Sequence, residues 1–264
     1  MKQFSIFLSL ILGLCSLLPA QTLHVVMLID CYSGIALSCG IDRQNIQKEL
    51  DIIKAHTGMS LRMYPCEYDP ASAKQVAQSI ICGADDVILF YYSGHGYRYE
   101  GQKDPFPYMA FRARTATEFS SGKMVSLQNI LDILKEKNAR LTLILGDLCN
   151  NELPMTEPLS QDIIVTTKED VYKNLFLYSK GYLLSTSSKA GQISQATDNG
   201  SRWTLDFLET LHDAALHNNA ANWETILANT DALCNQKSGA RQDPYYDNKT
   251  SATTIEAGLD FHKK

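Results

Sequence analysis

The chain has 264 residues, a formal net charge of −5 and 45% hydrophobic residues. No basic block stands out, which excludes nucleic acid as an expected partner. The length is enough for one substantial core and fits a single domain.

Lys2 is followed by an apolar run from Phe4 to Leu18 and then Pro19-Ala20. Charge, length and the small residue identify residues 1–20 as a signal peptide cleaved before Gln21. The run is short for a membrane span. The expected product is an exported protein (periplasmic, secreted or cell-surface) whose mature chain, residues 21–264, spans no membrane; the sequence leaves the oligomeric state open, with a monomer favoured. Six cysteines remain: Cys31, Cys39, Cys66, Cys82, Cys149 and Cys234. An even count in an exported chain permits disulfides. No C-x-x-C pair occurs, and the spacings give no support to a zinc site.

Short apolar segments read as buried strands at Leu23–Ile29, Leu61–Tyr64, Val87–Tyr92, Leu141–Leu145 and Tyr182–Ser185. Helical stripes alternate with them. Ile46, Leu50 and Ile53 form one, with Gly58 as its stop. Val76, Ile80 and Ile81 form another after Asp69-Pro70. Leu127, Ile130, Leu131 and Leu134 form a third, capped by Ser126. Trp203–Leu216 and Trp223–Leu233 read as two late helices. Residues 100–123, 150–167 and 238–254 break the pattern and read as loops, apart from a short apolar piece at Tyr108–Phe111. The alternation predicts an α/β fold with a mostly parallel sheet, whose ligand chemistry sits at the carboxyl ends of the strands.

Two strand ends carry candidate chemistry. "VILFYYSGHGYR" runs an apolar and aromatic strand into Ser93-Gly94-His95-Gly96. Flanking glycines allow a sharp turn, and a histidine there can serve as a general base. Alone, Gly-His-Gly fits equally well a tight turn with a surface histidine. "LTLILGDLCNN" runs a second strand into Asp147-Leu148-Cys149. A nucleophilic cysteine needs a partner to take its proton. Alone, Cys149 reads as a small buried hydrophobe, the commonest fate of a lone cysteine. His95 and Cys149 lie 54 positions apart, a separation that one helix-containing crossover can close. A rival strand end, Asp30-Cys31-Tyr32-Ser33-Gly34, also joins an acid to a cysteine.

The pair of motifs, in this order, resembles the caspase-like cysteine peptidases of clan CD, and within them the metacaspases. Further stretches are similar to that family. They are Ser38-Cys39-Gly40-Ile41-Asp42 placed before a helix, "GYLLSTSSKAGQISQ", "GSRWTLDFLETL" and "RQDPYY". The resemblance spans roughly residues 23–250. It implies the caspase-haemoglobinase fold, a three-layer sandwich with helices on both faces of the sheet. It also implies a His/Cys dyad, with Cys149 as nucleophile, His95 as base and acid, and the N–H groups of Gly96 and Cys149 as oxyanion donors. Cys39, Asp42, Ser93 and Asp147 take the substrate-binding positions. Two carboxylates in one pocket suit an Arg or Lys side chain, so the expected substrates are proteins or peptides cut after Arg or Lys. Lys168, Lys173 and Lys180 lie where family members are cut into two subunits, which makes self-processing an expectation.

Two departures bear on this. The family continues His-Ser-Gly after the nucleophile, whereas this chain has Asn150-Asn151-Glu152. Many metacaspases bind calcium, but Glu100, Asp104 and Glu118 are sparse as hard oxygen ligands. No metal or other cofactor is therefore expected. The second reading, which the altered loop keeps open, is a non-catalytic binding or regulatory protein of the same fold.

Overall fold

The computed structural model describes residues 21–111, 124–151, 169–217 and 220–252. Residues 1–20, expected from sequence to be a signal peptide, residues 152–168 with Lys168, and Glu118 lie outside them. Besides a two-stranded ribbon of β9 (Ala196–Thr197) and β10 (Gly200–Ser201), a six-stranded sheet forms the middle layer. Its strands are β1 (Thr22–Ile29), β2 (Ser60–Tyr64), β3 (Val87–Ser93), β7 (Leu141–Asp147), β8 (Ser179–Thr186) and β11 (Tyr245–Ala252), in the order β11-β8-β7-β3-β1-β2. The first five run parallel, and β11 pairs antiparallel with β8.

Alternation along each strand sends side chains to two cores. Leu23, Val25, Leu89, Tyr91, Leu141 and Leu143 enter one of them. There they meet helices α1 (Ala36–Thr57), α4 (Glu169–Phe176), α5 (Arg202–His217) and α6 (Trp223–Lys237). Val26, Leu28, Ile88, Phe90 and Ile144 enter the other, against α2 (Pro70–Ser79) and α3 (Leu127–Lys135). Strands buried on both faces explain the nearly unbroken apolar runs of β1, β3 and β7.

Local chemistry sets the helix ends. Asp69 accepts hydrogen bonds from the N–H groups of Ala71 and Ser72 and so starts α2 ahead of Pro70. Ser126 caps α3 through the N–H of Gln128. Gly58 closes α1 in the left-handed conformation, φ 71°.

Four expectations are corrected. The 238–254 loop contains β11, an exposed edge strand whose polar sequence carries no apolar alternation. The polar 100–123 stretch takes part in a small sheet of β4 (Gly96–Tyr97), β5 (Tyr108–Ala110) and β6 (Met124–Ser126). Ile81 is 81% exposed because α2 ends at Ser79, so only Ile80 turns inward. Cys39 and Asp42 lie inside α1 rather than before it, because the helix begins at Ala36 despite Gly40.

Candidate active site

β3 and β7 are neighbours, with Ser93 opposite Asp147. Their carboxyl ends therefore release His95 and Cys149 side by side. Gly94 N–H donates to the carbonyl of Asp147 (3.1 Å). On the other side of His95, a Cβ at Gly96 would collide with the carbonyl oxygen of Cys149 and come within 2.8 Å of the Leu148 side chain. The backbone on both sides of the histidine thus packs against the nucleophile strand. Tyr92 and Ala110 hold the His95 carbonyl through a hydroxyl (2.7 Å) and an N–H (2.9 Å).

The Cys149 thiol donates to the carbonyl of Ser194 (3.7 Å), and the N–H of Ser194 donates to the sulfur (3.3 Å). Burial pushes the thiol pKa up to about 11. Cys149 is therefore protonated at rest and needs a base at the moment of attack.

Cys39, Asp42, Ser93 and Asp147 converge as a buried group beneath this edge. Asp42 accepts from the Ser93 hydroxyl (2.7 Å), the Ser201 N–H (2.7 Å) and the Ser201 hydroxyl (2.6 Å). Asp147 accepts from the hydroxyl of Ser194 (2.6 Å) and from the N–H (3.0 Å) and hydroxyl (2.7 Å) of Thr204. Burial, and then the charge of Asp147, push Asp42 up to about 7. Burial likewise raises Asp147 despite its hydroxyl donors. Cys39 is raised by burial and stays a thiol.

Over residues 70–255 the chain matches the family described as the caspase domain. The chain belongs to the caspase domain family. The family is one of cysteine peptidases, with proteins as substrates. The crystal structure of caspase-1 from Spodoptera frugiperda is similar over 87% of this chain and 89% of that one, with a TM-score of 0.51 and 12% identity. At that identity the likeness is one of fold. No curated protein matches the chain.

Several residues that support this caspase domain escape sequence reasoning. Ser194, Ser201 and Thr204 hold the two carboxylates from segments distant in the chain, and isolated hydroxyl residues carry no readable spacing. Gln242, in "RQDPYY", is fully buried. Its amide donates to the Ser187 carbonyl (2.9 Å), and its oxygen accepts from the Gln195 N–H (2.9 Å). It thereby ties together the two loops that touch Asp147 and Cys149. Asn150, the departure after the nucleophile, is also fully buried. Its amide donates to Pro105 (2.8 Å) and Ser188 (3.2 Å), and Arg98 donates to its oxygen (3.1 Å). The altered residue clamps the nucleophile loop in place.

Among the described residues no cluster of three or more His, Cys, Asp or Glu is placed to hold a metal ion. Likewise, no helix is long and apolar enough to cross a membrane. The six described cysteines are free.

Gly96→Ala tests the close approach. It is expected to cost about 1–3 kcal/mol of stability, the usual cost of overpacking, and to lower kcat/KM. Gly34→Ala, whose Cβ would meet nothing within 4 Å, is expected to leave both unchanged. Thermal melting and peptide cleavage read the two outcomes.

Proposed function

We propose that the protein is an exported cysteine endopeptidase that cuts after Arg or Lys with His95 and Cys149. The observation that carries this reading is the pair of buried carboxylates, Asp42 and Asp147, at the carboxyl end of the nucleophile strand. A substrate cation is the partner that such a like-charged pair favours.

In the reaction His95 takes the thiol proton as sulfur bonds to the scissile carbonyl carbon. The oxyanion forms facing the N–H groups of Gly96 and Cys149. The imidazolium then gives its proton to the leaving amine, and the C–N bond breaks to leave a thioester. Water attacks the thioester with its proton passing to His95. The C–S bond breaks, and the proton returns to sulfur.

Self-processing belongs to the same proposal, with Lys168 as its site. Lys173 lies in α4 and Lys180 in β8, and a chain held in regular structure does not enter a protease cleft. The second reading, a non-catalytic binding protein, is favoured by one observation: the resting thiol is protonated and hydrogen-bonded on both sides by Ser194.

Fluorogenic peptides ending in Arg, Lys or Asp separate these readings, assayed under reducing conditions with and without calcium. Cleavage after Arg or Lys without calcium is the expected result, with a two-fragment product on a gel. Cleavage after Asp alone overturns the specificity. No cleavage under any condition supports the binding protein.

A further inference from the structure

We propose that Asp30 is a positioning residue for His95, making the site a triad of Cys149, His95 and Asp30. The proposal rests on the reading of His95 as the base. Asp30 immediately follows β1, which pairs with β3 so that Ile29 lies opposite Ser93. Its N–H donates to the Ser93 carbonyl (2.9 Å), which fixes the acid at the root of the histidine turn. One carboxylate oxygen, Oδ1, accepts from the N–H groups of Tyr32 (2.9 Å) and Ser33 (3.0 Å). That oxygen alone makes the turn.

The second oxygen is the informative one. Oδ2 is buried, has no hydrogen-bond partner, and lies 3.9 Å from His95 Nε2. Asp30 itself is fully buried. A buried carboxylate oxygen without a donor is costly, and its natural partner is a nearby cation. The titratable groups around it are Cys39 of α1, Tyr68 ahead of α2 and Tyr92 of β3. Burial raises all three, so they stay neutral at working pH. The imidazolium of His95 is the cation that this geometry offers Asp30.

The consequence is a defined division of the ring. Nε2–H faces Asp30, which assigns to Nδ1 the role of taking the thiol proton. During attack the S–H bond breaks, its proton passes to Nδ1, and sulfur forms its bond to the carbonyl carbon. Asp30 remains ionised and stabilises the imidazolium without taking a proton. The separation of 3.9 Å in the free enzyme is longer than a hydrogen bond, and catalytic contacts commonly tighten only with substrate bound.

Asp30→Asn is the decisive variant, because its Oδ1 can still accept from Tyr32 and Ser33. Its amide would donate to Nε2 and leave the proton on Nδ1, the wrong tautomer. On an Arg or Lys peptide, kcat is expected to fall about 10²- to 10⁴-fold, as loss of the acid does in the serine-protease triad. KM and the melting temperature should stay close to wild type. The acidic limb of the kcat/KM profile should move to lower pH. Unchanged kcat and an unchanged limb overturn the proposal, whatever happens to stability.

A second measurement needs no turnover. Histidine NMR titration in the Cys149→Ala background should give His95 a lower pKa when Asp30→Asn is added. An unmoved His95 titration overturns the pairing. A moved titration in a protein that cleaves no peptide keeps the Asp30–His95 pair and rejects the peptidase reading instead.

Discussion

Cys149→Ala is expected to abolish cleavage of Arg and Lys peptides, a loss of at least about 10⁴-fold in kcat, as for other essential nucleophiles. Cys31→Ala is expected to stay within about threefold of wild type, as a residue that takes no part in the reacting unit. The two cysteines end strands that look alike in sequence, yet their settings differ. Cys149 sits where β7 meets the histidine turn of β3 and is held by Ser194. Cys31 is exposed beyond β1, and the acid beside it turns inward towards His95. Activity that survives Cys149→Ala and is lost in Cys31→Ala would reverse the assignment. The raised thiol pKa adds a chemical signature. At pH 7 a thiol of pKa about 11 is ionised only on the order of once in ten thousand molecules. Alkylating reagents should therefore reach Cys31 before Cys149. The same burial bears on the proposed export, since oxidation follows thiolate character and exposure. A thiol deprotonated only during attack is better suited to an oxidising compartment than a standing thiolate.

The layers of the fold and the placing of His95 and Cys149 just beyond neighbouring strand ends are legible in sequence for a common reason. β3 and β7 are buried on both faces, so each reads as an apolar run, and each ends in residues whose types are unusual after such a run. Helix α3 is legible because Ser126 caps it and four apolar residues line one face. β11 is not legible, because an edge strand of exposed polar residues is specified by its partner β8 rather than by its own pattern. Helix α4 is missed because its eight residues give barely two turns of periodicity. The role of Asp30 is invisible for a different reason. Spacing along the chain cannot reveal that an acid 65 positions before His95 faces its ring, since only the β1–β3 register brings them together. Sequence likewise marks Asp42 and Asp147 as acids but not their state. Their burial, and the hydroxyls of Ser194, Ser201 and Thr204 around them, arise from segments that meet only in the folded chain.

Those two carboxylates carry the second large effect. Asp147→Asn is expected to lower kcat/KM for Arg and Lys peptides by a hundred- to several-thousand-fold, the equivalent of about 3–5 kcal/mol for removing one partner of a buried charge pair. Asp42→Asn should act in the same direction. If Asp147→Asn keeps both the rate and the preference for Arg over Asp, the two acids serve the fold alone. The pH dependence has a definite sign. Asp42 titrates at about 7 in the free protein, raised from 3.8 by burial and by Asp147. A substrate cation pairs with the ionised form, so kcat/KM for basic peptides should rise as pH climbs through about 7, and Asp42→Asn should remove that component. Stability moves the other way. An acid raised on folding contributes stability that is complete below its unfolded value near 4 and is lost as pH rises through its folded value. Asp147 and Asp206 are raised as well and add to the same trend. The melting temperature should therefore fall between about pH 4 and pH 7, the window set by the shift of Asp42 from 3.8 to about 7. The Asp42→Asn protein should show a flatter profile across that range. A pocket built this way binds its cation best under the conditions in which the empty protein is least stable, because one buried charge is responsible for both.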